Sequence, residues 1–317
     1  METTLPNYRR YAIIGTGAIG GFYGARLQRA GLEVHFLLHT DYATVCQSGL
    51  VIDSIEGHFT LPQVNAYQDV HQIPPCDVVI VSLKTTQNHL LPQLLPPILQ
   101  ESGVVLILQN GLGMEEIVAK IVGEQRVMGG ICFICSHKVG PGHICHLDYG
   151  SITMGEYLPR GITARLSQIA ADFNQAGIAV QMTEDLLLAR WQKLVWNIPF
   201  NGLSVVLNAT TAELLNHADS RYLVKQLMDE VKVAATSCDR SIAEIFIEQM
   251  LTHTEKMKPY KPSMKLDYEA HRPLEIEAIF NQPLHLATGA GIKLPQMMML
   301  YRQLQFLDTQ NRLKPTN

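Results

Sequence analysis

The stretch Arg10-Tyr11-Ala12-Ile13-Ile14-Gly15-Thr16-Gly17-Ala18-Ile19-Gly20 decides how this chain folds. An apolar run of strand length, Arg10–Ile14, meets three glycines, and Ile19–Ala30 then carries a helical pattern closed by Gly31. In that setting the first glycine permits a tight turn and the second lets backbone approach a pyrophosphate. The third allows close packing of helix on strand. The helix N-terminus offers N–H groups and partial positive charge to phosphates. Gly15, Thr16, Gly17, Ala18, Ile19 and Gly20 are therefore candidate dinucleotide contacts.

Outward from this loop the first half alternates strands and helices. Glu33–Leu38, Asp77–Leu83 and Val104–Leu108 read as further strands, with Leu90–Gln100 and Met114–Ile121 as crossover segments. Apolar strands separated by helices require a mostly parallel sheet covered on both faces. From Gly129 to about Gly155, runs punctuated by Gly and Pro read as edge strands or hairpins. After about Thr183 the strand pattern stops. Arg221–Thr236 and Ile242–Thr252 carry amphipathic helical stripes, and Pro295 opens a last helix. The expected fold class is α/β, an N-terminal Rossmann-type doubly wound sheet over residues 1–183 followed by an all-α domain over residues 184–317. A length of 317 residues agrees with two domains at roughly 150 residues each.

Composition excludes several classes. With 25 Lys+Arg against 29 Asp+Glu, the net charge of −4 carries no basic block for nucleic acid. No apolar run approaches the roughly 18 residues of a membrane span. Six cysteines scattered through a long chain read as reduced thiols of a cytoplasmic protein. Cys132-Phe133-Ile134-Cys135 lies near His137, His143, Cys145 and His146, but a strand there would turn residues three apart to opposite faces, and no metal site is expected.

Cofactor choice is set about 20 residues past the loop, where an acid would take the ribose 2′-hydroxyl of NAD. The second strand ends Leu37-Leu38-His39-Thr40, with no carboxylate before Asp41. That leaves room for the 2′-phosphate of NADP, with His39 as a donor. In the second half, Lys193, Asn197 and Asn201 stand at i, i+4 and i+8 in an otherwise apolar segment, on one helical face. They suit either a ligand carrying a carbonyl and hydroxyls or an ordinary domain interface. Pro199 within that segment either kinks the helix or frees the Val195 carbonyl. Of Glu275 and Glu277, a helix turns one to the cleft and the other to solvent.

The chain resembles the ketopantoate reductase (2-dehydropantoate 2-reductase) family over nearly its whole length. The resemblance rests on Gly15–Gly20, Ser82-Leu83-Lys84, Gln109-Asn110-Gly111-Leu112-Gly113, Lys193 with Asn197 and Asn201, Ser263-Met264 with Asp267, Leu274-Glu275-Ile276-Glu277, and Gly291-Ile292-Lys293-Leu294-Pro295. It implies reduction of a 2-oxo acid, ketopantoate, to D-pantoate by NADPH for pantothenate and coenzyme A synthesis. By that likeness Lys193 gives the proton to the carbonyl oxygen, Asn197 and Asn201 hold the substrate, and Ser263 binds its carboxylate. Glu275 would bond near the nicotinamide ribose and the substrate hydroxyl, while Lys84 and Asn110 would contact the cofactor.

Where the family has a basic residue this chain has His39, where it has Gly-Arg there is His271-Arg272, and its Thr-Glu-Ile-Asp reads Leu274-Glu275-Ile276-Glu277. A further family Asn is Thr211. These differences bear on substrate identity more than on reaction type. The expected site is the cleft between the domains, and the expected partner is a small 2-oxo acid. Two alternatives stand beside this reading: a reductase of another 2-oxo acid on the same fold, and a non-catalytic NADP-binding sensor. The apolar helices of the second domain serve equally as core or as the surface of a homodimer.

Overall fold

The computed structural model describes residues 8–313. The chain divides into two compact units, one of residues Met1–Gln109 and Met114–Leu186, the other of Asn110–Gly113 and Leu187–Asn317.

The first unit opens with β1 (Arg10–Ile14), α1 (Ala18–Arg29) and β2 (Glu33–Leu37). Then come α2 (Tyr42–Ser48), β3 (Leu50–Ser54), β4 (Phe59–Leu61), β5 (Asn65–Tyr67) and β6 (Cys76–Val81). A single helical turn, α3 (Leu91–Leu94), leads to β7 (Leu99–Ile107), α4 (Met114–Val122), the long strands β8 (Val127–Gly140) and β9 (His143–Glu156), α5 (Ala164–Gln175) and β10 (Val180–Thr183).

The sheet order is β4-β3-β9-β8-β7-β6-β1-β2-β5, with β10 also on β9. Only β3–β4 and β8–β9 pair antiparallel among the described strands. The expected long crossover at 90–100 is replaced by a 3₁₀ segment, Thr85–Leu90, and the one turn of α3. Pro96 and Pro97 halt any longer helix there, since neither supplies a backbone N–H. The segment from Gly129 forms a hairpin as expected, yet it lies inside the sheet rather than at its edge, because β3 and β10 both pair with β9.

Tyr11, Ile13, Val34, Phe36, Val78, Ile80, Val104 and Leu106 fill the core of this unit together with Phe22 and Phe173 from the helices. Burial of the Cys76 thiol pushes its pKa up to about 12, and all six cysteines are free.

The second unit is helical. It holds α6 (Leu186–Val206), α7 (Thr211–Asn216), α8 (Ala218–Ala235), α9 (Glu244–Lys256), α10 (Ser263–Glu269), α11 (Gln282–Gly289) and α12 (Pro295–Arg312). Trp191, Leu194, Ile198, Phe280, Met297 and Leu300 make its core. Pro295 starts α12, and the carboxylate of Glu230 accepts from the N–H groups of Gln296 at 2.8 Å and Met297 at 2.7 Å, so a distant acid caps that helix. Among the described residues no helix is long and apolar enough to cross a membrane.

Candidate active site

The loop between β1 and α1 is held from two sides. Ser82 Oγ donates to Gly15 O at 2.9 Å, and Thr16 Oγ1 donates to Leu37 O at 3.0 Å, which ties the loop to the ends of β6 and β2. Gly15 has φ +100°, and a Cβ there would stand 2.5 Å from the Leu83 nitrogen. A Cβ on Gly20 would lie 2.2 Å from Ser82 Oγ and 2.4 Å from Gly15 O. At Gly17, by contrast, no atom lies within 4 Å of that position. The outer glycines serve the packing of the chain, and the middle one leaves an open cradle over the first turn of α1. A pyrophosphate fits there.

At the end of β2, His39 is exposed and Asp41 is buried. Both Asp41 oxygens accept from Lys138 Nζ, at 2.7 and 2.8 Å, and Oδ2 also accepts from the Gly142 N–H at 2.9 Å. The first carboxylate after β2 is thus engaged within the protein.

Beyond β7, buried Gln109 donates from Nε2 to Leu83 O at 2.8 Å and to Asn88 Oδ1 at 2.6 Å, which fixes the loop that carries Lys84. No role for Gln109 follows from its motif alone; its position directly after a strand end is the signal in the sequence that points to this tie. The next residues, Asn110–Gly113, group with the helical unit. Gly111 has φ +94°, with room for no Cβ because Ala278 O lies 2.4 Å from where it would be, and the Leu112 N–H donates to Ala278 O at 2.9 Å.

Ala278 belongs to a single π-helical turn, Glu277–Asn281. Such turns recur at functional sites because they re-aim side chains within a helix. The segments bearing Asn110 and Glu275 are therefore docked together by backbone. Glu275 is buried, whereas Glu277 is exposed and accepts from Asn281 Nδ2 at 2.7 Å and Gln305 Nε2 at 3.0 Å.

Helix α6 runs unbroken through Pro199, so Lys193, Asn197 and Asn201 lie along one face. Lys193 Nζ stands 5.5 Å from the centre of the Trp196 ring. Asn197 is 3% exposed, and its Nδ2 has no hydrogen-bond partner among the described residues. Asn201 Oδ1 accepts from the Met264 N–H at 3.1 Å, which fixes the start of α10 beside Ser263. Ser263 itself is half-buried. The unsatisfied amide donor of Asn197, on the face that carries Lys193, suits a ligand with an oxygen acceptor.

A family model described as ketopantoate reductase PanE/ApbA matches residues 11–159, and the model of its C-terminal region matches residues 185–308. A Nostoc sp. relative named 2-dehydropantoate 2-reductase is 60% identical over 310 residues, covering 96% of this chain and 97% of the relative. The chain belongs to the ketopantoate reductase family.

A crystal structure of 2-dehydropantoate 2-reductase from Geobacter metallireducens is 45% identical, with a TM-score of 0.92 over 94% of this chain and 99% of the other. The fold extends further: a D-mandelate dehydrogenase solved with NADH and anilino(oxo)acetate superposes with a TM-score of 0.88 over 96% and 100% of the two chains at 20% identity. Members of the family are NAD(P)-dependent oxidoreductases.

The positions where this chain departs from the family pattern have structural explanations. His271 has φ +53°, the left-handed region that suits the family's glycine, and its Nδ1 is 2.8 Å from Asn311 Oδ1. Leu274 is buried in the helical core, and its N–H donates to Asp308 Oδ1 at 3.1 Å. Thr211 is buried and exchanges hydrogen bonds with the Tyr260 backbone at 3.1 and 3.3 Å. Each of these three residues is engaged within the helical unit.

A bulge between Phe133 and Ile134 interrupts the alternation of β8, so the expected facing of Cys132 and Cys135 does not follow from strand periodicity, and both are buried. Among the described residues no three His, Cys, Asp or Glu side chains converge as metal ligands.

Proposed function

We propose that this chain reduces 2-dehydropantoate to D-pantoate with NADPH, as a step of pantothenate synthesis, and that Lys193 is the proton donor. The observation that carries the assignment of roles is the α6 face, where the Lys193 ammonium stands one turn from the buried, unpartnered Nδ2 of Asn197. A nicotinamide nucleotide supplies the hydride when bound; every other requirement falls on the chain.

As hydride reaches C2, negative charge develops on the carbonyl oxygen. The Lys193 ammonium stabilises that oxygen and then gives it a proton. Asn197 Nδ2 donates to the substrate, Asn201 positions the start of α10, and Ser263 meets the substrate carboxylate. Glu275 orients the substrate hydroxyl and the nicotinamide ribose. Gly15, Thr16, Gly17, Ala18, Ile19 and Gly20 hold the pyrophosphate, with Lys84 and Asn110 as further cofactor contacts and His39 as donor to the 2′-phosphate. The engagement of Asp41 with Lys138 supports NADPH over NADH, because no carboxylate is then available for a free ribose hydroxyl.

The test is cofactor oxidation by the purified chain with 2-dehydropantoate, run with NADPH, with NADH, and against a panel of other 2-oxo acids. Fastest turnover with 2-dehydropantoate and NADPH is the expected result. A higher kcat/KM for another 2-oxo acid overturns the substrate assignment, and a preference for NADH overturns the cofactor assignment.

A further inference from the structure

We infer that Lys138, on the hairpin of β8 and β9, governs which nicotinamide cofactor is accepted, by drawing the Asp41 carboxylate away from the adenosine ribose and placing a cation there. This rests on the NADPH reading above and adds a specificity-determining pair to it, drawn from a region 97 residues from Asp41.

The placement follows from the sheet. Lys138 pairs directly opposite Ile144 in the hairpin, so their side chains leave the same face. Ile144 is packed on α1: a Cβ on Gly21 would stand 2.4 Å from Ile144 Cδ1 and 3.8 Å from Thr16 Cγ2. Thr16 in turn is tied to Leu37 at the end of β2. The side chain of Lys138 therefore emerges on the face that carries the glycine loop, and its Nζ reaches Asp41, four residues past the end of β2.

Asp41 lies two residues past His39, the first carboxylate near the place where a ribose-binding acid is expected, about 20 residues beyond the glycine loop. Left free, its carboxylate would accept from a 2′-hydroxyl and repel a 2′-phosphate. Here its acceptor sites are taken by Lys138 Nζ, the Gly142 N–H and Thr40 Oγ1, the last at 3.1 Å. Burial opposes ionisation of Asp41, but these partners outweigh it and hold the carboxyl below the usual range. The Lys138 side chain is 38% exposed while that of Asp41 is 7% exposed. The positive member of the pair is the more exposed one, and the negative member is screened.

The test is calorimetric binding of two fragments, 2′,5′-ADP and 5′-ADP, to the full chain without turnover. The wild type is expected to favour 2′,5′-ADP. Lys138→Met is expected to lose about tenfold in affinity for 2′,5′-ADP while 5′-ADP binds as well or better. Lys138→Met combined with Asp41→Asn is expected to recover part of the loss, because the unscreened carboxylate is gone.

If the wild type favours 2′,5′-ADP but Lys138→Met weakens both fragments equally, the pair is only a structural tie and the inference fails alone. A wild type that binds both fragments equally overturns the NADPH reading and the inference with it. A double variant no better than Lys138→Met overturns the screening of Asp41.

Discussion

A buried amide donor without an acceptor is costly to a folded chain, and Asn197 holds one on a helix whose neighbouring side chains are apolar. If that donor waits for substrate, truncating it removes little from the empty protein. Asn197→Ala should raise KM for 2-dehydropantoate by about five- to tenfold, the value of one hydrogen bond. Its unfolding free energy should fall by less than about 1 kcal/mol, since only packing is lost. Calorimetry and steady-state kinetics on one preparation decide this. A marked loss of stability at unchanged KM would make Asn197 a structural residue.

At the scale of single residues the sequence was legible where partners lie close along the chain. Lys193, Asn197 and Asn201 fell on one face because helical spacing is local. Asp41 could be read as the first acid past β2, but its capture by Lys138 could not, because strand pairing brings that partner in from the hairpin. His271 was seen as a departure from the family pattern, yet its positive φ was visible only in the backbone.

At the scale of elements, the proposed function has the β1–loop–α1 unit separate folding from binding. Gly20→Ala places a Cβ against Ser82 Oγ and the Gly15 carbonyl, and backbone must shift to admit it. A loss of roughly 2 kcal/mol or more is expected, as for other overpacked sites. Gly17→Ala meets nothing within 4 Å, so the melting temperature should hold while nucleotide affinity falls by about tenfold or more, the methyl occupying the pyrophosphate cradle. Thermal melts with and without NADPH check both variants. Equal destabilisation of the two would contradict the division of labour.

Strands β1, β2, β6 and β7 were legible because each is a compact apolar run. Strands β3, β4, β5 and β10 were not, being short and interrupted by polar or turn residues such as Asp53, Thr60, Asn65 and Gln181. The π turn at Glu277–Asn281 has no periodic signature over so few residues. The depth of the β8–β9 hairpin inside the sheet depends on pairing with β3, which local pattern does not encode.

For the molecule as a whole, acid stability is informative because one carboxylate joins two helices of the helical unit. Glu244, at the start of α9, accepts from Lys225 and, at 2.6 Å, from Lys232, both on α8. Those hydrogen bonds pull its pKa from 4.5 down to about 2. The folded-state value is depressed, so its contribution is present in full above the unfolded value and is lost as pH falls from 4.5 through about 2. Glu244→Gln should flatten the decline of melting temperature over that window, and screening by salt should shrink the difference. An unchanged pH profile would show that the cluster contributes nothing.

If Lys193 supplies the proton in the reduction, removing its ammonium must slow turnover and leave NADPH binding in place. The most direct measurement compares wild type and Lys193→Met for turnover of 2-dehydropantoate, alongside NADPH affinity by nucleotide fluorescence. A positioned general acid contributes about 10²–10⁴-fold, so kcat should fall by that factor while NADPH affinity stays within about twofold. A kcat within about threefold of the wild type, with NADPH bound normally, would contradict it.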